Sequence, residues 1–348
     1  MIEQIVTDQE LRAFATFFDG KRDIVLTCHM SPDGDALGSC LGLAAVLRQR
    51  GKRVNIVTPD MPPSTLSILP GYAGIAIATQ KPERANVLLR HADGIVALDF
   101  NEPHRIDRLA NAYTRAKSPK LNIDHHLGDC RLADITIRYP GMSSTCELLF
   151  RLLYHAGWYD DITPEAATCI YCGMMTDTGN FSYNSNRPDL YAIVYHLMLK
   201  GIDKDGIYDH VLNAATESSL RIKGYALADK MTLYPDCQAA LLVLTSDELK
   251  ARGFRKGDTE GLVNMPLRIP GIRWSTFVRQ DPEYIKVSMR STGDFAVNGL
   301  CQEYFNGGGH LNAAGGEARG SSLDEVIATY LSILDKIRND ESNRTTEI

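Results

Sequence analysis

The chain reads as an α/β protein: a parallel sheet with helices on both faces, then a helical connector, then a smaller mixed α/β domain. Three observations predict this. The apolar run at residues 24–26 has the character of a strand buried on both faces. A helical pattern at 37–50, closed by Gly51, and a second strand at 53–57 follow closely, the order that begins a doubly wound sheet. From Thr232 onward the pattern changes to shorter strands. With 348 residues and 44% apolar content, the chain is long enough to bury two cores.

Taken in order, residues 5–18 form a first helix and 22–29 the first strand, with helix 37–50 and strand 53–57 after it. The proline-rich segment 59–70 is an irregular connection. Helix 85–91, strand 94–99, helix 106–117 and strand 120–123 follow, then strand 134–138. Ser144, with Glu147 three residues later, makes a capping box for a helix ending near His155, which gives its hydroxyls a structural role. Residues 164–175 are an apolar helix, and three helices at about 189–200, 203–214 and 216–231 carry the chain across the connector. The second domain contains strands 238–245, 272–280 and 284–290, a helix at 298–305, two glycine-rich segments, and an amphipathic helix 323–338 started by a Ser322 and Glu325 capping box. The expected boundaries are 1–200, 201–232 for the connector, 233–340, and a disordered polar tail at 341–348.

Charged residues make up 23% of the chain and the net charge is −6, so it is neither a disordered protein nor a globally basic nucleic-acid binder. An anionic ligand must therefore meet a local basic patch. Between 250 and 290 there are nine basic residues against four acidic ones. Residues 1–20 carry Glu3, Asp8, Glu10 and Arg12 and lack the apolar run of a signal peptide, and no segment reaches membrane-spanning length. Eight cysteines in apolar surroundings read as reduced thiols of a cytoplasmic protein, and the lone Cys169-x-x-Cys172 pair reads as core thiols rather than a zinc site, which needs four ligands.

The chemistry gathers where strands end. Cys28-His29-Met30-Ser31-Pro32-Asp33-Gly34-Asp35 follows the first strand, with Pro32 disfavouring helix at Ser31 and Gly34 permitting an unusual backbone angle. Asp33 and Asp35 would also serve as caps of the next helix. Asp99, Asp124, His125 and His126 fall at the ends of later strands, and Asp177 follows a buried element. In an open parallel sheet, ligands bind beyond the carboxyl ends of the strands. So many carboxylates would repel one another without cations to neutralise them. Oxygen and imidazole ligands without thiolate suit Mn²⁺, with Mg²⁺, Co²⁺ or Fe²⁺ as substitutes. Two such ions polarise a phosphate and activate water, which is phosphoester hydrolysis chemistry. Gly307-Gly308-Gly309 would let backbone N–H groups approach a phosphate, with His310 as a donor beside them, or would form a plain flexible turn. Arg105, just beyond Asp99, is a further phosphate-contact candidate or a surface arginine.

His29 to Ser39 (HMSPDGDALGS), the strand ending in Asp99, the Asp124-His125-His126 triplet and the TDTGNFSY run around Asp177 together resemble the four motifs of the DHH phosphoesterase superfamily, in the expected order. Gly307 to Gly315, preceded by Val287-Ser288-Met289-Arg290-Ser291, is similar to the DHH-associated substrate-binding domain. The subgroup most resembled is the bacterial nanoRNase/pAp phosphatases (oligoribonucleases, NrnA-like). The resemblance implies one metal held by His29, Asp33 and Asp99 and a second held by Asp35, Asp99, His125 and Asp177. It also implies that His126 faces the scissile phosphate or protonates the leaving oxygen, that Asp124 orients the ligands, and that Arg290 and Ser291 contact substrate.

The implied activity is Mn²⁺-dependent hydrolysis of short single-stranded RNA and of 3′-phosphoadenosine 5′-phosphate (pAp) in a cleft between the domains. Small substrates agree with the acidic net charge, since long strands normally call for an extended basic track. The rival readings are a linear or cyclic dinucleotide phosphodiesterase, a RecJ-like single-strand exonuclease, and a nucleotide-binding regulator without activity. Family-two inorganic pyrophosphatases share the metal motifs but lack the Gly307-to-His310 segment. A homodimer through the N-terminal domain is compatible with the sequence, although no residue specifies it.

Overall fold

The computed structural model describes residues 2–128 and 133–345, with side chains through residue 339. The chain divides into two compact units, Met1–Ala214 and Ala215–Ile348.

The first unit contains α1 (Asp8–Phe17), β1 (Asp23–Thr27), α2 (Gly34–Gln49), β2 (Arg53–Thr58), β3 (Ala76–Ile77), α3 (Pro82–His91), β4 (Gly94–Leu98), α4 (Ala110–Arg115), β5 (Lys120–Asp124) and β6 (Ile135–Arg138). Helices α5 (Thr145–His155), α6 (Pro164–Asp177), α7 (Pro188–Leu199) and α8 (Lys204–Val211) complete it. Its six strands lie in the order β3-β2-β1-β4-β5-β6, and all described pairings are parallel. Alternation along each strand feeds two cores. Ile24, Leu26, Val96 and Leu98 pack with α1, α2, α5 and α6, whereas Val25, Ile95 and Ala97 pack with Ala85 and Leu89 of α3 and Tyr113 of α4. The direction of winding reverses between β1 and β4, the position where such sheets bind ligands.

Local chemistry explains most boundaries. Thr7 and Glu10 form a full capping box that starts α1. The single helix expected at 106–117 is instead a 3₁₀ segment, Pro103–Leu109, followed by α4, because Asp107 adopts φ 37° and ψ −109° and breaks the turn. The proline-rich connection leads to the two-residue edge strand β3, too short for a sequence pattern to reveal. Ser144 caps α5 by accepting from the Glu147 N–H, but the capping box is only half made. Glu147 turns to the Ser143 N–H and hydroxyl and to the buried Arg151. The seven described cysteines are all buried, with Cys169 and Cys172 in the core of α6, while Cys130 lies outside the described residues.

The second unit contains α9 (Glu217–Asp229), β7 (Met231–Tyr234), β8 (Ala239–Leu244), α10 (Ser246–Ala251), β9 (Trp274–Gln280), β10 (Ile285–Ser291), α11 (Val297–Tyr304), β11 (Gly307–His310), β12 (Ala313–Ala318) and α12 (Leu323–Thr345). Its sheet runs β11-β12-β10-β9-β8-β7 and is antiparallel except for β8 with β9. One face packs on α11 and α12 through Trp274, Val287, Met289 and Tyr330, and the other packs on α9 through Leu242, Leu244 and Phe277. Three elements were absent from the sequence reading: β7, of which only Met231 fell within a predicted helix and the rest was unassigned; α10, held by a Thr245 and Glu248 capping box; and the hairpin of β11 and β12, where only glycine-rich segments were read. Helix α12 continues to Thr345, so residues 341–345 of the expected disordered tail are helical and 346–348 lie outside the described residues. No helix among the described residues is long and apolar enough to cross a membrane.

Candidate metal centre

Each side chain of the centre is delivered by the end of an element. His29 follows β1, Asp99 follows β4, Asp124 ends β5 with His125 and His126 after it, and Asp177 is the last residue of α6. Asp99 is held at φ 66°, a left-handed conformation that costs of order 1–3 kcal/mol and is typical of functional positions. The turn after β1 obtains its left-handed residue from Ser31 (φ 51°), whose N–H donates to Asp60, not from Gly34 as the sequence suggested.

Gly34 is needed for a different reason. A Cβ there would lie 2.3 Å from Thr176 Oγ1, one at Gly38 2.4 Å from the Cys169 carbonyl oxygen, and one at Gly173 2.3 Å from Cys146 Sγ. Glycines one turn apart on α2 thus let it press against α6, which brings Asp35 on α2 near Asp177 at the end of α6. The capping reading of the paired aspartates holds for one of them. Asp33 caps α2, accepting from the Asp35 and Ala36 N–H groups at 3.0 Å each. Asp35 does not cap its own helix; its two oxygens accept from the N–H groups of Thr145 (2.6 Å) and Cys146 (2.8 Å) at the start of α5, where the helix dipole favours an anion.

His29 and His125 are oriented alike. His29 Nδ1 donates to the Met30 carbonyl at 2.8 Å and His125 Nδ1 to the Met142 carbonyl at 3.2 Å, so each presents Nε2 to the carboxylates. His29 Nε2 lies 3.3 Å from Asp99 and 3.9 Å from Asp33. His125 Nε2 lies 3.3 Å from Asp177, 3.6 Å from Asp99 and 3.9 Å from Asp35. His126 is turned the other way: its Nδ1 donates to Asp124 at 2.7 Å and lies 3.5 Å from Asp99, while its Nε2 accepts from Arg105 Nη2 at 3.2 Å. Asp99 lies between the imidazoles and accepts from the Thr145 hydroxyl at 2.8 Å.

Three groups of ligand atoms come within 4.8 Å of one another: His29, Asp33 and Asp99; Asp35, His125 and Asp177; and Asp99, His125 and His126. The third group was not anticipated from the sequence. Burial, together with the charge of Asp99, pushes the Asp35 carboxyl up to about 8, and burial beside Asp35 and Asp33 pushes Asp177 well above the usual carboxylate range. Burial opposes a charge on His29, but the hydrogen bond to Asp99 and the nearby carboxylates outweigh it and raise the imidazole to about 10. Asp99 is held below the usual range, because the three imidazoles outweigh its burial. Asp124 Oδ2 is buried with no hydrogen-bond partner. Crowded carboxylates that retain protons, imidazoles aimed at them by backbone carbonyls, and the absence of thiolate from every group fit divalent cations with oxygen and nitrogen ligands.

The substrate candidates of the second unit share one sheet. Arg290 on β10 and His310 on β11 both pair with Ala313 on β12, so they stand in one row on one face, about 10 Å apart. Arg290 Nη1 donates to the Met289 carbonyl at 2.9 Å. Ser291 donates to the Phe295 carbonyl at 2.6 Å and accepts from Asn312, a residue the sequence reading passed over. The glycine segment is a strand, not a turn. A Cβ at Gly307 would lie 2.1 Å from the Gly315 carbonyl oxygen and one at Gly309 2.4 Å from that of Ala313, whereas at Gly308 nothing comes closer than 3.9 Å. Thr145 was also missed, because its place beside the Ser144 cap marked its hydroxyl as structural.

Comparison with known proteins agrees with this architecture. Residues 23–174 match the DHH family, N-terminal domain, and residues 240–336 match the DHHA1 domain. The crystal structure of an exopolyphosphatase-related protein from Bacteroides fragilis is 43% identical, with a TM-score of 0.94 over 97% of this chain and 98% of that one. The bifunctional oligoribonuclease and PAP phosphatase NrnA of Thermus thermophilus is 28% identical over 91% of this chain and 90% of its own length. That of Bacillus subtilis is 29% identical over 84% and 88%. Matched by both domain models in succession and by a solved relative almost end to end, the chain belongs to the DHH family of phosphoesterases, a DHH domain followed by a DHHA1 domain.

Proposed function

We propose that the chain is a cytoplasmic, divalent-metal-dependent phosphodiesterase and phosphatase that acts on short oligoribonucleotides and on pAp. The observation that carries this reading is the meeting of two ligand groups, His29/Asp33/Asp99 and Asp35/His125/Asp177, beside Arg105 at one end of the sheet. The bifunctional relatives support the substrate class. His29, Asp33 and Asp99 would hold one cation and Asp35, Asp99, His125 and Asp177 a second, with Mn²⁺ favoured by the mixed oxygen and imidazole set. Cations there supply Lewis acidity toward a phosphoryl group and lower the pKa of water.

The protein's own groups do the rest. Asp124 keeps the proton of His126 on Nδ1 and fixes the ring, so its Nε2 can exchange a proton with the substrate when a phosphate draws Arg105 away. Arg105 would then bind phosphoryl oxygens. Thr145 and the start of α5 hold Asp99 and Asp35 in place. In the second unit, Arg290, His310 and the glycine strand of Gly307, Gly308 and Gly309 would contact nucleotide, and Ser291, engaged with Phe295 and Asn312, would shape the loop beside them.

Product release with Mn²⁺ from pAp, a 5′-phosphorylated RNA dinucleotide, a cyclic dinucleotide, a long single strand and pyrophosphate, each with a chelator control, tests the reading. Fast, chelator-sensitive cleavage of the dinucleotide and pAp supports it. Preference for the long strand, or tight binding without turnover, refutes it.

A further inference from the structure

On the opposite side of the sheet from α2 and α6, between α3 and α4, lies a groove of about 230 Å³. Three arginines line it, Arg90, Arg108 and Arg115, together with the carboxamides of Asn86 and Asn111. No carboxylate lines it. In a chain with 43 acidic residues against 37 lysines and arginines, that is a notable exclusion. Elsewhere on the surface Arg53, Arg221, Arg319 and Arg338 each pair with a carboxylate. Arg90 and Arg115 make no hydrogen bond or ion pair with any described residue, and Arg108 has only Asp107 at 3.8 Å. Arg90 and Arg115 also lie in the last turns of their helices, where a cation offsets the helix dipole. That role requires neither a shared groove nor convergence on two carboxamides.

We propose that this groove is a second anion site, distinct from the metal centre, and that it takes a nucleotide carrying a diphosphate. Guanidinium groups bind phosphate oxygens in pairs, and three of them around one groove match more than a single phosphate. Asn86 and Asn111 each offer a donor and an acceptor, which suits a sugar or base edge better than a bare inorganic anion.

The groove connects directly to the catalytic side. Arg108 belongs to the segment Pro103–Leu109, which also carries Arg105. Arg105 Nη2 meets His126 Nε2 at 3.2 Å, and the Arg105 carbonyl accepts from the Met30 N–H at 2.6 Å, next to His29. Between the two arginines Asp107 sits at φ 37°. Because one short segment carries both arginines, an anion drawing on Arg108 would act on the contact between Arg105 and His126.

The test uses the full chain treated with chelator, so that the acidic centre without cations repels the probe, and ADP as that probe. Calorimetry should register ADP binding, weakened at least tenfold in the double variant Arg90→Ala/Arg115→Ala, whose exposed side chains are not needed for folding. Equal binding by the variant, or no binding by the unaltered protein, would overturn the site. Imidazole NMR of the same samples reads the connection: the His126 ring signal, assigned with His126→Gln, should move on ADP addition in the unaltered protein and stay in place in the double variant. ADP binding with a stationary His126 signal would overturn the connection. Neither readout depends on turnover, so failure of the phosphoesterase reading would leave both results interpretable.

Discussion

The metal centre of the first unit and the glycine-bearing sheet of the second are built on opposite principles. Around Asp99 the sheet gathers side-chain charge that is ill at ease alone: Asp35 is fully buried, its carboxyl raised to about 8, and Asp177 is raised well above its usual range. Around Gly308 the second unit offers backbone, with one guanidinium and one imidazole in a row across three strands. The first arrangement would be completed by cations, whereas the second needs none to fold. The first should therefore respond to metal and pH, and the second to the volume of a single methyl group.

The largest expected effect breaks the first arrangement at its shared carboxylate. Asp99→Asn removes the charge that faces all three imidazoles, and kcat/KM for a short oligonucleotide should fall by about 10³-fold or more, with loss of bound metal measured on the same sample. A variant that retains both turnover and metal would remove Asp99 from the centre.

Next comes the response to pH without metal. The folded values of Asp35 (about 8) and His29 (about 10) both lie above their unfolded ones, so the folded chain binds more protons between them and loses stability as pH rises. For Asp35 that window runs from about 4 to about 8, and for His29 from about 6.5 to about 10. The melting temperature of chelated protein should fall between pH 6.5 and 8, and Mn²⁺ should flatten the slope while releasing protons, detectable by calorimetry in buffers of different ionisation enthalpy. A flat profile in chelator would contradict the buried, protonated carboxylate.

The glycine strand sharpens the contrast. Gly309→Ala forces a methyl group against the Ala313 carbonyl and should cost about 1–3 kcal/mol in unfolding experiments. Gly308→Ala has room, so it should leave stability and metal affinity unchanged and raise KM alone. If the two variants behave alike, the strand serves packing only. The smallest effect is expected at Thr145→Val, which removes the hydroxyl donated to Asp99 and should weaken metal binding about tenfold without unfolding the protein.

Much of this is legible in the sequence. The burial of 24–26 on both faces required a sheet covered on two sides, and the acids and imidazoles at strand ends marked the edge where the candidate ligand groups meet. What could not be read there depended on contacts between distant residues. Gly34 looked like a residue for an unusual backbone angle, but its place is dictated by Thr176 on another helix. Glu147 fitted a capping box by spacing, yet a buried arginine drew it elsewhere. The glycines at 307–309 gave no strand signal, since glycine has low strand propensity; β11 is placed by its pairing with β12, whose backbone leaves no room for a Cβ at 307 or 309.

The sequence by itself determined the strands that carry the candidate ligands, the residue types at their ends and hence the kind of chemistry, because these follow from local periodicity and from the polarity each strand end must carry. Tertiary structure alone decided which imidazole nitrogen faces the carboxylates, that His126 is turned toward Arg105, and that three arginines from α3, α4 and the segment before it share one groove. Those outcomes depend on backbone carbonyls and helix contacts contributed by residues far apart in the chain, which no local pattern encodes.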